Sequence, residues 1–203
     1  MMKMIILENI KNSSNMSRNS IEGYSTILKV IEESDSQLIC DLRNNPNINK
    51  FLSNSTSITV LEQKEWLKNN LKANDGIYFK IIDKNKNNFV GTISLYNVNN
   101  STAEFGRYIC LSPIQAIEAE LLILKYGFEI MKLKQIYCKT AEENTKVWKQ
   151  HFKYGFKDTS REYFKHKEMY LKVQEISYND YINFDFTKIN KLIATLNKQY
   201  SNS

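Results

Sequence analysis

Glu104 and His151 are the side chains whose setting best suits proton transfer. Glu104 lies in the run T-A-E-F-G-R-Y-I-C, two residues before Gly106, so strand alternation puts both on one face. A carboxylate there can take a proton from a nucleophile, or simply face solvent. His151 lies in N-T-K-V-W-K-Q-H-F-K-Y, a helix-length run that Gly155 ends. An imidazole titrates near neutral pH and can hand over a proton there, although a helix can also carry a histidine that only packs. Between the two, residues 111–117 join a strand to a helix, and the free N–H groups of a helix start hold phosphate well.

Other chemistries have weaker claims. Cys40, Cys110 and Cys138 form no C-x-x-C and sit among apolar residues, as buried free thiols do in a reducing compartment. Cys110 ends a strand but has no histidine partner in a nucleophile pattern. His151 and His166 lack ligand spacing with any cysteine pair, so no metal is expected. Trp66 and Trp148 read as helix-packing aromatics.

The chain of 203 residues, 42% hydrophobic and 12% aromatic, suits one domain with a sizeable core. A net charge of +6 and a pI near 9.0 suit a polyanionic partner such as nucleic acid, CoA or a nucleotide sugar, or simply lysine- and asparagine-rich faces in solvent. The basic residues are scattered, so no nucleic-acid stripe is expected. The apolar run Met4–Leu7 is too short for a signal peptide, and no stretch has the length of a membrane span. A cytoplasmic protein is expected.

The elements that must position these residues follow from periodicity. Residues 1–23 read as an arm, with a short strand open to Met4–Leu7. Ser25–Ile31 is a strand, and Asp35 caps a helix with Leu38, Ile39 and Leu42 on one face. A second helix, Val60–Leu71, turns Leu61, Trp66, Leu67 and Leu71 inward. Ile77–Ile82, Phe89–Val98 and Thr102–Cys110 make three consecutive antiparallel strands, with Gly106 suited to a bulge. A helix covers Ile117–Met131, a buried strand Gln135–Thr140 and a helix Asn144–Tyr154. Closing strands lie near Phe156–Asp158 and Tyr163–Val173. In the tail, 175–203, Ile189, Leu192, Ile193 and Leu196 follow helical spacing. That apolar face can pack on its own domain, meet a second copy as a homodimer, or take a partner.

The order G-T-I-S-L-Y-N-V, A-E-F-G-R-Y-I-C-L, S-P-I-Q-A-I-E-A-E-L-L-I-L-K-Y-G-F, Q-I-Y-C-K-T-A and E-N-T-K-V-W-K-Q-H-F-K-Y-G-F resembles the GNAT superfamily of acetyl-CoA-dependent N-acetyltransferases. The likeness covers most of Thr26–Val173. It implies an α+β fold, a mixed and mostly antiparallel central sheet flanked by helices. The GNAT domain would span 24–174, followed by a C-terminal helical extension. It further implies a bacterial acyltransferase with acetyl-CoA as acetyl donor, acting by direct attack without a covalent enzyme intermediate.

The family's pyrophosphate loop reads Q/R-x-x-G-x-G/A, which falls here on Leu111, Ile114 and Ala116. Ala116 matches, whereas a β-branched Ile114 resists the open conformations that glycine allows. Gln115, Ala116 and Ile117 are the expected contacts, with Glu118 adding negative charge nearby. The resemblance places Tyr108, Ile109 and Cys110 along the pantetheine, Asn144 on it, Glu104 as base and His151 as acid to the thiolate. The segment R-N-N-P resembles that of N-acetyltransferases acting on nucleotide-linked amino sugars, of the pseudaminic acid pathway type, and assigns Arg43 and Asn44 to the acceptor. Ribosomal-protein N-terminal acetyltransferases share part of these segments, so a peptide amine is a second acceptor class. A GNAT-like module that no longer binds CoA is the non-enzymatic alternative.

Overall fold

The computed structural model describes residues 19–49, 52, 57–73 and 75–200, the last two by backbone only. Its centre is an eight-stranded sheet. The strands are β1 (Ser20–Glu22), β2 (Thr26–Val30), β3 (Ile77–Asp83), β4 (Asn88–Asn99), β5 (Thr102–Cys110), β6 (Gln135–Ala141), β7 (Lys157–Phe164) and β8 (Met169–Ser177). They lie in the order β1-β2-β3-β4-β5-β6-β8-β7, and only β5 and β6 run parallel. The helices are α1 (Ser36–Asn44), α2 (Pro46–Asn49), α3 (Val60–Ala73), α4 (Pro113–Lys125), α5 (Thr145–His151), α6 (Tyr178–Asn183) and α7 (Thr187–Tyr200).

Local chemistry sets the turns. Asp83 Oδ1 accepts from the N–H groups of Asn85 and Lys86, and Asn87 takes φ 50°, which closes the β3–β4 hairpin. Asn100, at φ 54°, turns β4 into β5. Gly155, at φ 94°, stops the short helical turn after α5.

Alternation along β3 shows how the sheet divides its two faces. Phe79 and Ile81 join the main core with Ala119, Leu122 and Ile123 of α4. Tyr78 faces the other way, into a smaller core with Ile31, Ile39 of α1 and Leu67 of α3. Lys80, on that same face, meets the buried Asp35 at 2.7 Å. The sequence expected Asp35 to cap α1. It stands at the N-cap position, yet its carboxylate takes Lys80 and the Glu32 N–H instead. Of the α3 residues expected inside, Leu67 is buried, but Leu61 and Leu71 face solvent and Gln63 is buried in their stead. Leu38 of α1 is likewise exposed.

Three further boundaries differ. The end of the expected arm is β1, paired with β2, and Ile21 is fully buried there. The short strand open to Met4–Leu7 lies outside the described residues. The closing pair turns at Lys165–Lys167 with Glu168 at φ 50°, so β7 is longer, and β8 begins later, than expected. The long helix starts at Pro113 rather than Ile117, and continues as a π-helical turn through Tyr126–Ile130.

The tail helix α7 packs on α4, with Ile189 and Ile193 inside the main core. Burying an isoleucine contributes about 1.5–3 kcal/mol, enough to hold such a helix in place. Of the three uses open to that apolar face, its own domain takes the Ile189 and Ile193 side. Among the described residues no helix is long and apolar enough to cross a membrane.

Candidate active site

β5 and β6 are neighbours only at their beginnings. Pairing runs from Thr102↔Gln135 to Phe105↔Cys138 and stops, although β5 continues to Cys110 and β6 to Ala141. Beyond Phe105, β5 stays bonded to β4 through Thr92↔Ile109 and Gly91↔Cys110, leaving its other edge open toward β6. The cause is a bulge. The register passes from Ser94↔Gly106 to Thr92↔Ile109, so β5 carries one residue more than β4. The sequence placed this feature at Gly106, but Arg107 holds the left-handed backbone, at φ 47°. Gly106 serves another end: a Cβ there would lie 3.0 Å from Tyr96 Oη. The result is a fork whose two prongs lead to the starts of α4 and α5.

The start of α4 answers the question of the missing glycine. Helix geometry begins at Pro113, so Ile114 is an ordinary helical residue, and no residue from 111 to 116 has positive φ. Nothing in that turn requires glycine. Pro113 has no N–H, and the Ala116 N–H donates to the Ser112 carbonyl at 2.9 Å. The N–H groups of Ile114 and Gln115 have no partner among the described residues, and these two are available to a phosphate. Gln115 itself is fully buried, its side chain tied to Ser112 Oγ and the Ser25 carbonyl. The Ala116 carbonyl accepts from Tyr108 Oη at 2.6 Å, and that of Ile117 from Tyr154 Oη at 2.7 Å. Burial pushes both phenols well above the usual range. Glu118 does not face a phosphate. It accepts from the N–H groups of Tyr24 and Ser25 at 2.5 and 2.9 Å, holding the β1–β2 turn against α4.

On the other prong, Asn144 occupies the N-cap position of α5, yet its side chain makes no cap bond and is half-exposed. Ile109 is buried, and Cys110 donates to the Ser112 carbonyl with its thiol pushed up by burial to about 11, unsuited to a nucleophile.

His151 lies at the root of the fork, its ring 5.4 Å from that of Phe105, the last paired residue of β5. It is 2% exposed, and its Nδ1 is 2.6 Å from Glu120 Oε1, also buried. Burial alone lowers an imidazole's pKa. The Glu120 carboxylate, with Cys138 beside it, outweighs that, and the pKa of His151 rises to about 10. The Glu120 carboxylate therefore favours the protonated form of the histidine. Periodicity gives it no partner, because Glu120, in the run A-I-E-A-E-L-L, belongs to another helix.

The opposite face carries Glu104. Its Oε1 accepts from Tyr96 Oη at 2.7 Å and its Oε2 from Asn97 Nδ2 at 3.0 Å, with Tyr137 Oη farther off at 3.5 Å. Tyr96 stands directly across the ladder from Glu104, a pairing that hairpin register alone could have suggested. Tyr96 is driven up by burial and then by Glu104, so it remains a donor. Beside it, Trp66, Tyr78 and Arg107 gather under α3, where the sequence had read Trp66 as packing only. Arg43 ends α1 close enough for its charge to act on Tyr78. Asn44 has both ends of its amide on the Ile58 backbone, at 2.8 and 3.0 Å, so its role here is to hold the residues after α2. Among the described residues, no cluster of ligands suits a metal ion.

A sheet forked beside a bulge, with free N–H groups at a helix start on one side and an anchored carboxylate on the other, defines an acyl-CoA-dependent transferase. The model of the acetyltransferase (GNAT) domain matches residues 26–157. The chain resembles the apo structure of FdhC, described as a nucleotide-linked sugar GNAT. That match has 26% identity, a TM-score of 0.68, and covers 82% of this chain and 93% of that one. It also resembles the spermidine N-acetyltransferase of Vibrio cholerae in complex with CoA and spermine, at 25% identity and a TM-score of 0.70, covering 79% and 100%. A GNAT-family acetyltransferase from Bacillus anthracis shares the fold at 21% identity, a TM-score of 0.69, and covers 79% and 99%. No curated protein matches the chain by sequence. The chain belongs to the GNAT acetyltransferase family. It is an acyltransferase that draws its acetyl group from acetyl-CoA, which sets aside the non-catalytic reading.

Proposed function

We propose that the chain N-acetylates a small amine by direct attack, and that the amine belongs to a nucleotide-linked amino sugar. The observation that carries this is Glu104, anchored by Tyr96 and Asn97 on the acceptor face, with the Arg107 guanidinium against the same tyrosine ring. Polyamine recognition calls for several carboxylates around the acceptor; here Glu104 shares its tyrosine with a guanidinium.

Acetyl-CoA supplies the acetyl group as an activated thioester. The N–H groups of Ile114 and Gln115 would hold its pyrophosphate, and the open edge of β5 from Tyr108 to Cys110 would bind the pantetheine arm and polarise the carbonyl. Asn144, its amide not used in capping, faces the same arm in this reading. Glu104 takes the proton from the acceptor ammonium, because Tyr96 and Asn97 orient its oxygens while leaving lone pairs unused. His151, kept protonated by Glu120 at the root of the fork, returns a proton to the leaving sulfur. Arg43 contributes positive charge toward the nucleotide.

The test is a transfer assay with acetyl-CoA and three acceptors: a UDP-linked amino sugar, spermidine and a short peptide with a free N-terminus. Turnover chiefly of the sugar nucleotide supports the proposal. Preference for spermidine or the peptide replaces it with the corresponding acceptor.

A further inference from the structure

The acceptor face holds a charge that the transfer chemistry leaves without a task. Arg107 sits in the β5 bulge at φ 47°, and Thr92 Oγ1 donates to its carbonyl at 2.9 Å, so its backbone is fixed where few non-glycine residues settle. Its guanidinium carbon lies 4.1 Å from the ring centre of Tyr96, 4.9 Å from Trp66 and 5.7 Å from Tyr78. Aromatic faces attract a guanidinium through its plane and leave its N–H edges uncovered. Among the described residues, those edges make one hydrogen bond, from Nη1 to Asn70 Oδ1 at 3.3 Å. A guanidinium held among aromatic rings with N–H groups to spare can offer paired donors to the oxygens of a phosphate. Glu104 bonds to the hydroxyl of the same Tyr96 ring, which sets a proton acceptor and an anion receptor side by side.

We infer that Arg107 is a specificity-determining residue: it binds a phosphate carried by the acceptor and disfavours polycationic amines. The inference rests on the acceptor face proposed above and names the chemical class that face selects, a phosphorylated amine.

Calorimetry of acetyl-CoA-saturated protein with UDP as the phosphate probe tests it directly. Wild type binds UDP, R107Q binds it about tenfold or more weakly, and R107K falls between, keeping charge but losing the flat fork. Acetyl-CoA binding by the same variants shows that their fold is intact. No UDP binding by wild type, or equal binding by wild type and R107Q, overturns the inference. A kinetic arm compares glucosamine 6-phosphate with glucosamine, one amine with and without phosphate. The ratio of their kcat/KM values falls about tenfold or more in R107Q if Arg107 reads the phosphate. Equal losses on both amines would mark a structural residue and overturn the inference, whatever happens to the sugar-nucleotide proposal. Conversely, idle sugar nucleotides with intact UDP binding and phosphate preference would sink that acceptor alone.

Discussion

The two faces of the fork are built on different plans. On the α4 side almost every polar side chain is already engaged: Tyr154, Gln115, Glu118 and the His151–Glu120 pair are buried, Tyr108 is half-buried, and all are bonded within the protein. In the proposed site this side binds the cofactor mainly through backbone, at Ile114, Gln115 and the open edge of β5, with Asn144 and the His151 proton as the side-chain exceptions. On the α3 side the proposed site offers side chains, since Glu104, Arg107 and Arg43 are only partly buried, Trp66 is exposed, and they keep donors or acceptors in reserve. A donor that never changes can be held by main-chain groups, which tolerate substitution. An acceptor that differs between relatives has to be read by side chains, which do not.

Substitutions can break that contrast, beginning with the strongest. E104Q removes the base and should lower kcat about a hundred- to ten-thousand-fold near neutral pH, with acetyl-CoA affinity retained; single-turnover kinetics and calorimetry together check this. An equal loss of acetyl-CoA binding would mean the faces are not separable. On the engaged side the damage should be to stability instead. E120A strands a buried imidazolium and is expected to cost about 3–5 kcal/mol, read by urea unfolding.

The same pair predicts a pH dependence. His151 has a folded pKa of about 10 against an ordinary 6.5, so its contribution is complete below the lower value and fades as pH rises through the upper one. H151Q should flatten that decline in a thermal-melting series between those limits. If H151Q also leaves turnover unchanged, the proton returned to sulfur comes from elsewhere. Y96F keeps the ring under Arg107 but frees one oxygen of Glu104, and a loss of about tenfold in kcat/KM is expected, from a hydrogen bond to a charged group. The smallest effect belongs to I114G. A glycine there lowers helix stability by about 1 kcal/mol and gains no acetyl-CoA affinity, because the turn has no left-handed residue to accommodate. Tighter binding by I114G would restore the family's glycine as a requirement.

Much of this was legible in the residues. The antiparallel run from β3 to β5, the buried strand β6 and the helix stop at Gly155 followed from alternation and turn chemistry. Glu104 came from its place on a strand face, although its anchoring by Tyr96 depended on a ladder register that periodicity does not give. Ile114 misled because the loop was aligned residue by residue with a pattern, whereas the helix begins four residues sooner and changes what each position does. His151 was visible as a residue but not as a charged one, since its state depends on Glu120 from another helix. Arg107 and Trp66 were out of reach for the same reason: their meeting joins α3 to a bulge in β5.

Helix α4 also bears on how the molecule comes into being. Glu118 reaches back 94 residues to Tyr24, while Tyr154 reaches forward to its Ile117 carbonyl over 37. Contacts of such separation form late, because a long loop must close before any of them rewards the chain. In chain order, these contacts of α4 are complete only once Tyr154 has been made. The acceptor carboxylate and its tyrosine, eight residues apart, are by then already in register. Chain order thus sets the proposed reader of the acceptor ahead of the proposed seat of the acetyl donor.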